Sequence, residues 1–147
     1  MEVRISKSLD DIGANAWNSL LENDYPFLSF AFLSALEHSQ CVGEDYGWFP
    51  HHLTVFDHDE LIAATPLYLK NNSYGEFVFD WNWADAYARS GLQYYPKLVS
   101  AIPYTPATGQ RLLVKTGRSV DKIRRVLIDA ATDLAKQLDA SSVHWLF

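Results

Sequence analysis

Asp80-Trp81-Asn82-Trp83-Ala84-Asp85 places two carboxylates and two large aromatics within six residues. Aromatics supply flat, stiff contact area, and the acids can orient or deprotonate an amine. The same residues also read as core tryptophans, with Asp80 and Asp85 as caps or turn formers. Tyr94, Tyr95 and Lys97 follow closely enough to line the same cleft. A second group, Thr105, Thr108 and Arg111, flanks Gly109 in a proline-punctuated segment. Small hydroxyls and a guanidinium beside a glycine suit a carboxylate or phosphate. A segment that leaves a sheet and returns has its two ends close together. Trp81, Asp85, Tyr94, Lys97, Thr105 and Arg111 are therefore expected to converge on one concave surface, with Trp83 and Thr108 as further candidates for substrate binding. Lys115 and Arg118 lie in Lys115-Thr116-Gly117-Arg118-Ser119-Val120, just before the strongest helical pattern. Unpaired N–H groups at a helix start, with two cations, suit a phosphate. An ordinary capped helix start would look the same. No residue is assigned a catalytic role at this level.

Other chemistries fade. His51, His52 and His58 do not make a metal site. Adjacent strand residues point to opposite faces, and His52 and His58 lie about 20 Å apart along a strand. Cys41 has no activating neighbour in the sequence, and as the single cysteine it permits no internal disulfide. A reducing, cytoplasmic setting is expected. There is no GxSxG, P-loop or Rossmann fingerprint.

Charge is uneven along the chain. The net charge of −6 divides into −9 over residues 1–100 and +3 over residues 101–147. Six of the cations fall within 111–125, namely Arg111, Lys115, Arg118, Lys122, Arg124 and Arg125. The overall acidity argues against a general DNA binder. The local basic run can still hold one phosphate-bearing ligand. Apolar residues make up 48% and aromatics 14%, which suits a single globular domain of 147 residues. The longest nearly uncharged apolar stretch, Leu61 to Leu69, is far short of the ~20 residues of a membrane-spanning helix. The N-terminus lacks the basic-then-apolar pattern of a signal peptide.

The elements that must position these residues follow from periodicity. A strand is predicted at 2–6, a helix at about 11–23 and a second helix at about 30–40 capped by Ser29. Residues 41–50 read as a loop. Strands at 53–56, 61–70 and 76–80 make an antiparallel meander, with Pro66 at a bulge or unpaired position. One or two helical turns are expected at 83–89. A strand at 111–115, a helix at 119–139 and a strand at 142–147 form a βαβ unit with the two strands parallel. The fold class is thus α/β (α+β), a mixed sheet with a meander and a C-terminal βαβ unit, flanked by helices.

The element order resembles the GNAT N-acyltransferase fold, and particular segments resemble a bacterial FemAB-like family of N-acyltransferases. Among them are Pro26-Phe27-Leu28-Ser29, Phe32-Leu33-Ser34-Ala35-Leu36-Glu37, Pro66-Leu67-Tyr68-Leu69-Lys70 and Val78-Phe79-Asp80-Trp81. So are Tyr94-Tyr95-Pro96-Lys97-Leu98 and Pro103-Tyr104-Thr105-Pro106-Ala107-Thr108-Gly109-Gln110-Arg111. The resemblance implies transfer of an acyl or aminoacyl group to an amine, linked to peptidoglycan precursors. It implies acyl-CoA or aminoacyl-tRNA as donor. Members are longer and resemble paired GNAT-like halves, so the chain is expected to be the first half, partnered by a second. The single glycine at 115–120 departs from the spaced glycines of acetyl-CoA binders, so the isolated chain is expected to bind acetyl-CoA poorly. The alternative is a catalytically silent module of the same fold that recognises a ligand or partner.

Overall fold

The computed structural model describes residues 1–147. The chain runs β1 (Glu2–Ser6), α1 (Ala14–Asn18), α2 (Phe30–His38), β2 (Trp48–Pro50), β3 (His52–Asp57), β4 (Glu60–Thr65) and β5 (Tyr68–Lys70). It continues through α3 (Trp81–Arg89), β6 (Lys97–Ser100), β7 (Leu113–Val114), α4 (Val120–Gln137) and β8 (Val143–Trp145). One sheet has the order β1-β3-β4-β7 and the other β2-β5-β6-β8. All pairings are antiparallel except β6 with β8.

Pro66 decides where one sheet becomes two. The expected strand at 61–70 is broken at Pro66-Leu67, so its halves enter different sheets. Proline offers no N–H to a ladder, and the break falls where one would be needed. Thr65 and Ser100 hydroxyls bond at 2.9 Å across the junction. β4 is apolar on both faces because both are covered. Ile62 and Ala63 pack with Leu53, Val55, Leu98, Leu127 and Leu134, beneath α4. Leu61 and Ala64 pack with Trp17, Leu20, Leu28 and Leu33, beneath α1 and α2. α4 keeps its 3.6-residue stripe, burying Ile123, Leu127, Ala131 and Leu134.

Several expectations are corrected. The helix at 11–23 shrinks to α1, preceded by a 3-10 turn that Ser8 caps. Residues 76–80 form no strand, since Phe77 adopts φ +58°, outside the extended region. β5 instead pairs antiparallel with β6, which sequence periodicity did not reveal, and with β2, a strand at the end of the 41–50 segment expected as a loop. The parallel pairing expected between 111–115 and 142–147 forms between β6 and β8, in register Leu98 with Val143. β7 is only two residues long and pairs with β4 in the other sheet. The strands flanking α4 therefore diverge.

Glu37 on α2 locks the N-terminal layer to the sheet. Its Oε1 accepts from His52 Nε2 at 2.8 Å, and its Oε2 accepts from Ser8 Oγ at 2.8 Å and Leu9 N–H at 2.9 Å. The N–H of Leu67 donates to His52 Nδ1 at 3.3 Å, so Nε2 carries the proton shared with Glu37. Burial alone would raise the Glu37 carboxyl, but His52 and the Leu9 and Ser8 donors hold it below its usual range. Its contribution is then complete above the unfolded-chain value near 4.3 and is lost as pH falls through the lower folded value. Glu37→Ala is expected to cost about 2 kcal/mol in urea unfolding at pH 7. The gap to the parent should close below about pH 4; an equal gap at pH 3 would contradict this account.

Candidate functional site

Two regions gather polar groups, and α3 with its preceding loop builds the first. Lys97 on β6 is wholly buried. Its Nζ donates to Glu76 Oε2 at 2.7 Å, Asp80 Oδ2 at 2.5 Å and Ser73 Oγ at 3.0 Å. The Tyr94 hydroxyl donates to the same Asp80 oxygen at 2.6 Å. Glu76 Oε1 and Asp80 Oδ1 are buried without a partner. Burial tends to raise both carboxyls. For Glu76 burial prevails. Lys97 and Tyr94 overcome it at Asp80, which stays below its usual range. Burial pushes the neighbouring Lys70 ammonium down to about 8; its Nζ lies 3.9 Å from the centre of the Trp48 ring. Gly75, at φ +75°, lets this loop pass Tyr104, whose ring would lie 2.6 Å from an added Cβ. Asp80, Trp83, Tyr87, Tyr94, Ser142 and His144 line a depression of about 230 Å³ beside the network.

The second region is the cleft where the strands flanking α4 diverge. The segment 101–112 fills part of it and is tied down on both sides. Gly109 N–H donates to Phe147 O at 2.9 Å, and the Tyr25 hydroxyl to Thr108 O at 3.0 Å. Gln110 Nε2 donates to Glu22 Oε2 at 3.0 Å. On the α4 side lies a depression of about 320 Å³ that includes Arg111, Leu112, Arg124, Trp145 and Leu146. On the α1 side lies one of about 240 Å³ that includes Glu22, Tyr25, Thr108 and Leu113. Gly109 and Gln110 line both and form the partition between them. Glu22 and Tyr25 continue into a further depression that adds Asp24. The α1 side is therefore acidic, and the α4 side carries Arg124. Arg124 enters no salt bridge, whereas Arg125 pairs with Asp129 at 2.9 Å.

Residues 8–147 match the sequence profile of the FemAB-like family, described as peptidoglycan biosynthesis/recognition. The chain belongs to the FemAB-like family. A solved structure with a similar fold is the apo aminoglycoside antibiotic 6'-N-acetyltransferase of Acinetobacter haemolyticus. The TM-score is 0.53 at 17% identity, over 99% of this chain and 78% of that one. The GNAT-like fold expected from the element order is thus observed. No functionally curated protein matches the chain.

In this FemAB-like chain the candidate residues are distributed over separate places. Trp83 and Tyr94 line the Asp80 depression, while Trp81 lines an adjacent one with Phe79. Lys97 is spent on the buried network, and Asp85 is exposed on α3. Thr108 and Arg111 line the cleft. Thr105 donates to Pro103 O at 3.1 Å. The Arg111 guanidinium is used as a staple, donating to Leu146 O at 3.0 Å, Gln110 O at 3.1 Å and Ala107 O at 2.7 Å. Lys115 and Arg118, expected to hold a phosphate, instead pair with acids of the β3–β4 hairpin. Lys115 bonds Glu60 at 2.6 Å, and Arg118 bonds Asp57 at 2.8 Å and also Glu60. Two cations facing two carboxylates leave little net field for an anion. Glu22, Tyr25, Arg124 and His144 also line these depressions, and the sequence did not single them out as candidates. Arg124 was visible only as one member of the basic run.

Proposed function

We propose that the chain is an N-acyltransferase module that passes an acyl or aminoacyl group to an amine of a peptidoglycan-related acceptor. The observation that carries this reading is the divided cleft with opposite charge on its two sides. An amine in water is an ammonium, and Glu22 and Asp24 favour its approach from the α1 side. Arg124 favours a phosphate-bearing donor, acyl-CoA or aminoacyl-tRNA, on the α4 side. Leu112, Trp145 and Leu146 offer an apolar wall for its acyl arm. The two substrates meet at Gly109-Gln110. The ammonium first gives one proton to solvent; the neutral amine then attacks the donor carbonyl, the C–N bond forms, the donor's C–S or C–O bond breaks, and the amine's second proton leaves with the free thiol or tRNA hydroxyl. Holding both reactants across one partition supplies proximity. As an expectation carried from the family, this module is one half of a two-half protein.

The test is direct. The chain is incubated with a stem peptide bearing a free amine and, in separate arms, acetyl-CoA or aminoacyl-tRNA. Mass spectrometry should find the acylated peptide in one arm. Binding of the peptide with no product in either arm would favour the silent module instead. Glu22→Gln should raise the KM for the peptide and leave that for the donor unchanged.

A further inference from the structure

Tyr74, Phe77, Phe79 and Trp81 line one shallow depression that shares no residue with the cleft. Each is 53–75% exposed, and the Phe79 and Trp81 rings meet edge to face at 5.5 Å between centroids. At about 150–250 Å² for a whole aromatic side chain, the four leave roughly 400–650 Å² of ring surface in water. That is at or above the largest apolar patch of an ordinary monomer, about 300–600 Å². α3 extends the same face. Trp81, Asp85, Ala88 and Arg89 recur at helical spacing along one side, and all four are exposed. Only the other side of the helix, at Ala84 and Tyr87, is half-buried, and no residue of α3 is fully buried. A helix of nine residues is marginal in water unless it is packed. We infer that this face is the interface of a twofold-symmetric dimer, covered by a second copy of the chain.

The charges on the face select a copy of itself. Asp85 and Arg89 lie one helical turn apart and carry opposite signs. Neither enters a salt bridge, and Arg89 Nε donates to the Asp85 backbone carbonyl at 3.4 Å rather than to its carboxylate. A twofold axis makes an interface self-complementary: what one copy offers at one residue, the other receives. Two α3 helices packed antiparallel about such an axis set Asp85 against Arg89 twice, so one pair of residues supplies two intermolecular ion pairs. These are the only exposed charges of residues 74–89, since Glu76 and Asp80 are buried on Lys97. The face is thus neutral within a stretch, residues 1–100, whose net charge is −9, and two copies meet there without like-charge repulsion. With the exposed side of α3 added, the face approaches the about 800 Å² that each partner contributes to a standard stable interface. Other occupants fit less well. An anionic lipid surface calls for a cluster of lysines and arginines, and this face has one arginine. A polar ligand calls for free hydrogen-bonding groups, and the Ser73 hydroxyl is already taken by Lys97 and Tyr95.

Sedimentation velocity of the chain, from about 1 to 200 µM, tests the inference. The parent should shift from one to two copies per particle as concentration rises. Phe79→Ser and Trp81→Ser should each raise the dimer dissociation constant at least tenfold with an unchanged melting temperature, because both side chains are exposed in the monomer. Trp83→Ser is the control: it removes an equally exposed ring from the far side of α3, about 200° around the helix from Trp81, and should change the constant less than threefold. Asp85→Arg and Arg89→Asp should each weaken the dimer at least tenfold, and the two together on one chain should restore it to within threefold of the parent. A particle that stays monomeric throughout would overturn the inference and leave the face to a different protein. A dimer indifferent to Phe79→Ser and Trp81→Ser, or a charge swap without rescue, would overturn it by placing the contact elsewhere. Co-sedimentation of a monomeric parent with phosphatidylglycerol vesicles, lost in Trp81→Ser, would overturn it in favour of a lipid surface.

Discussion

Lys97→Met is expected to destabilise the fold by about 3–5 kcal/mol, the cost of leaving buried charges without their partner. The ammonium is wholly buried and is the shared donor to Glu76 and Asp80. Methionine keeps the length and apolar stem of lysine, so packing changes little and the loss is electrostatic. Without Lys97, both carboxyls rise above their unfolded-chain values. A raised carboxyl costs stability in full above the raised value; the cost shrinks as pH falls through that value and is gone below the unfolded-chain value of about 4. Urea unfolding should therefore show the largest gap between variant and parent near pH 8, narrowing toward pH 5. Adding Glu76→Gln and Asp80→Asn to Lys97→Met should restore part of the loss, because no unpaired charge is then buried. A loss below about 1 kcal/mol at pH 8, within the range of an exposed ion pair, would show that the network is open to water.

The second large effect concerns the cleft. Arg124→Glu is expected to lower kcat/KM for the donor about 100-fold, through KM. A charge-assisted contact is worth about 1.5–3 kcal/mol, and reversal adds repulsion. Arg124 is half-buried near the start of α4 and enters no salt bridge, so its replacement breaks no internal ion pair. The KM for the amine acceptor should stay within twofold, since the proposal brings that substrate to the opposite side of Gly109-Gln110. Raising ionic strength should weaken donor binding in the parent more than in the variant. If donor and acceptor KM rise together, the two sides of the cleft do not serve separate substrates.

Sequence reasoning succeeded where one element carries its own signal. The α4 stripe repeats every 3.6 residues, and the helix runs Val120–Gln137 as its pattern requires. Ser29 before an apolar run is a helix cap, and its Oγ accepts the N–H of Phe32 at 3.2 Å. The segment 80–85 stands out for its acids and aromatics, and Asp80 sits at a polar centre. β6 escaped because it opens on a lysine, a residue seldom buried, and its burial depends on acids some 20 residues earlier in the chain. Residues 76–80 misled because alternating aromatics imitate a strand, while Phe77, Phe79 and Trp81 in fact face water.

The chain's local chemistry by itself determined the element order, the helical layers, the capped helix starts and the family resemblance. Each of these depends on residues within a turn or two of one another, or on short motifs read in line. The tertiary structure alone decided which strands pair, that Pro66 divides the sheet, and that Arg111, Lys115 and Arg118 are internally satisfied while Arg124 is left free. It also decided that the residues expected on one surface line separate depressions. A charged side chain's role depends on which counter-charge lies within a few ångströms, and across a fold that neighbour comes from a distant part of the chain. Arg118 illustrates this: its partners Asp57 and Glu60 are about 60 residues away, brought close by the pairing of β3, β4 and β7.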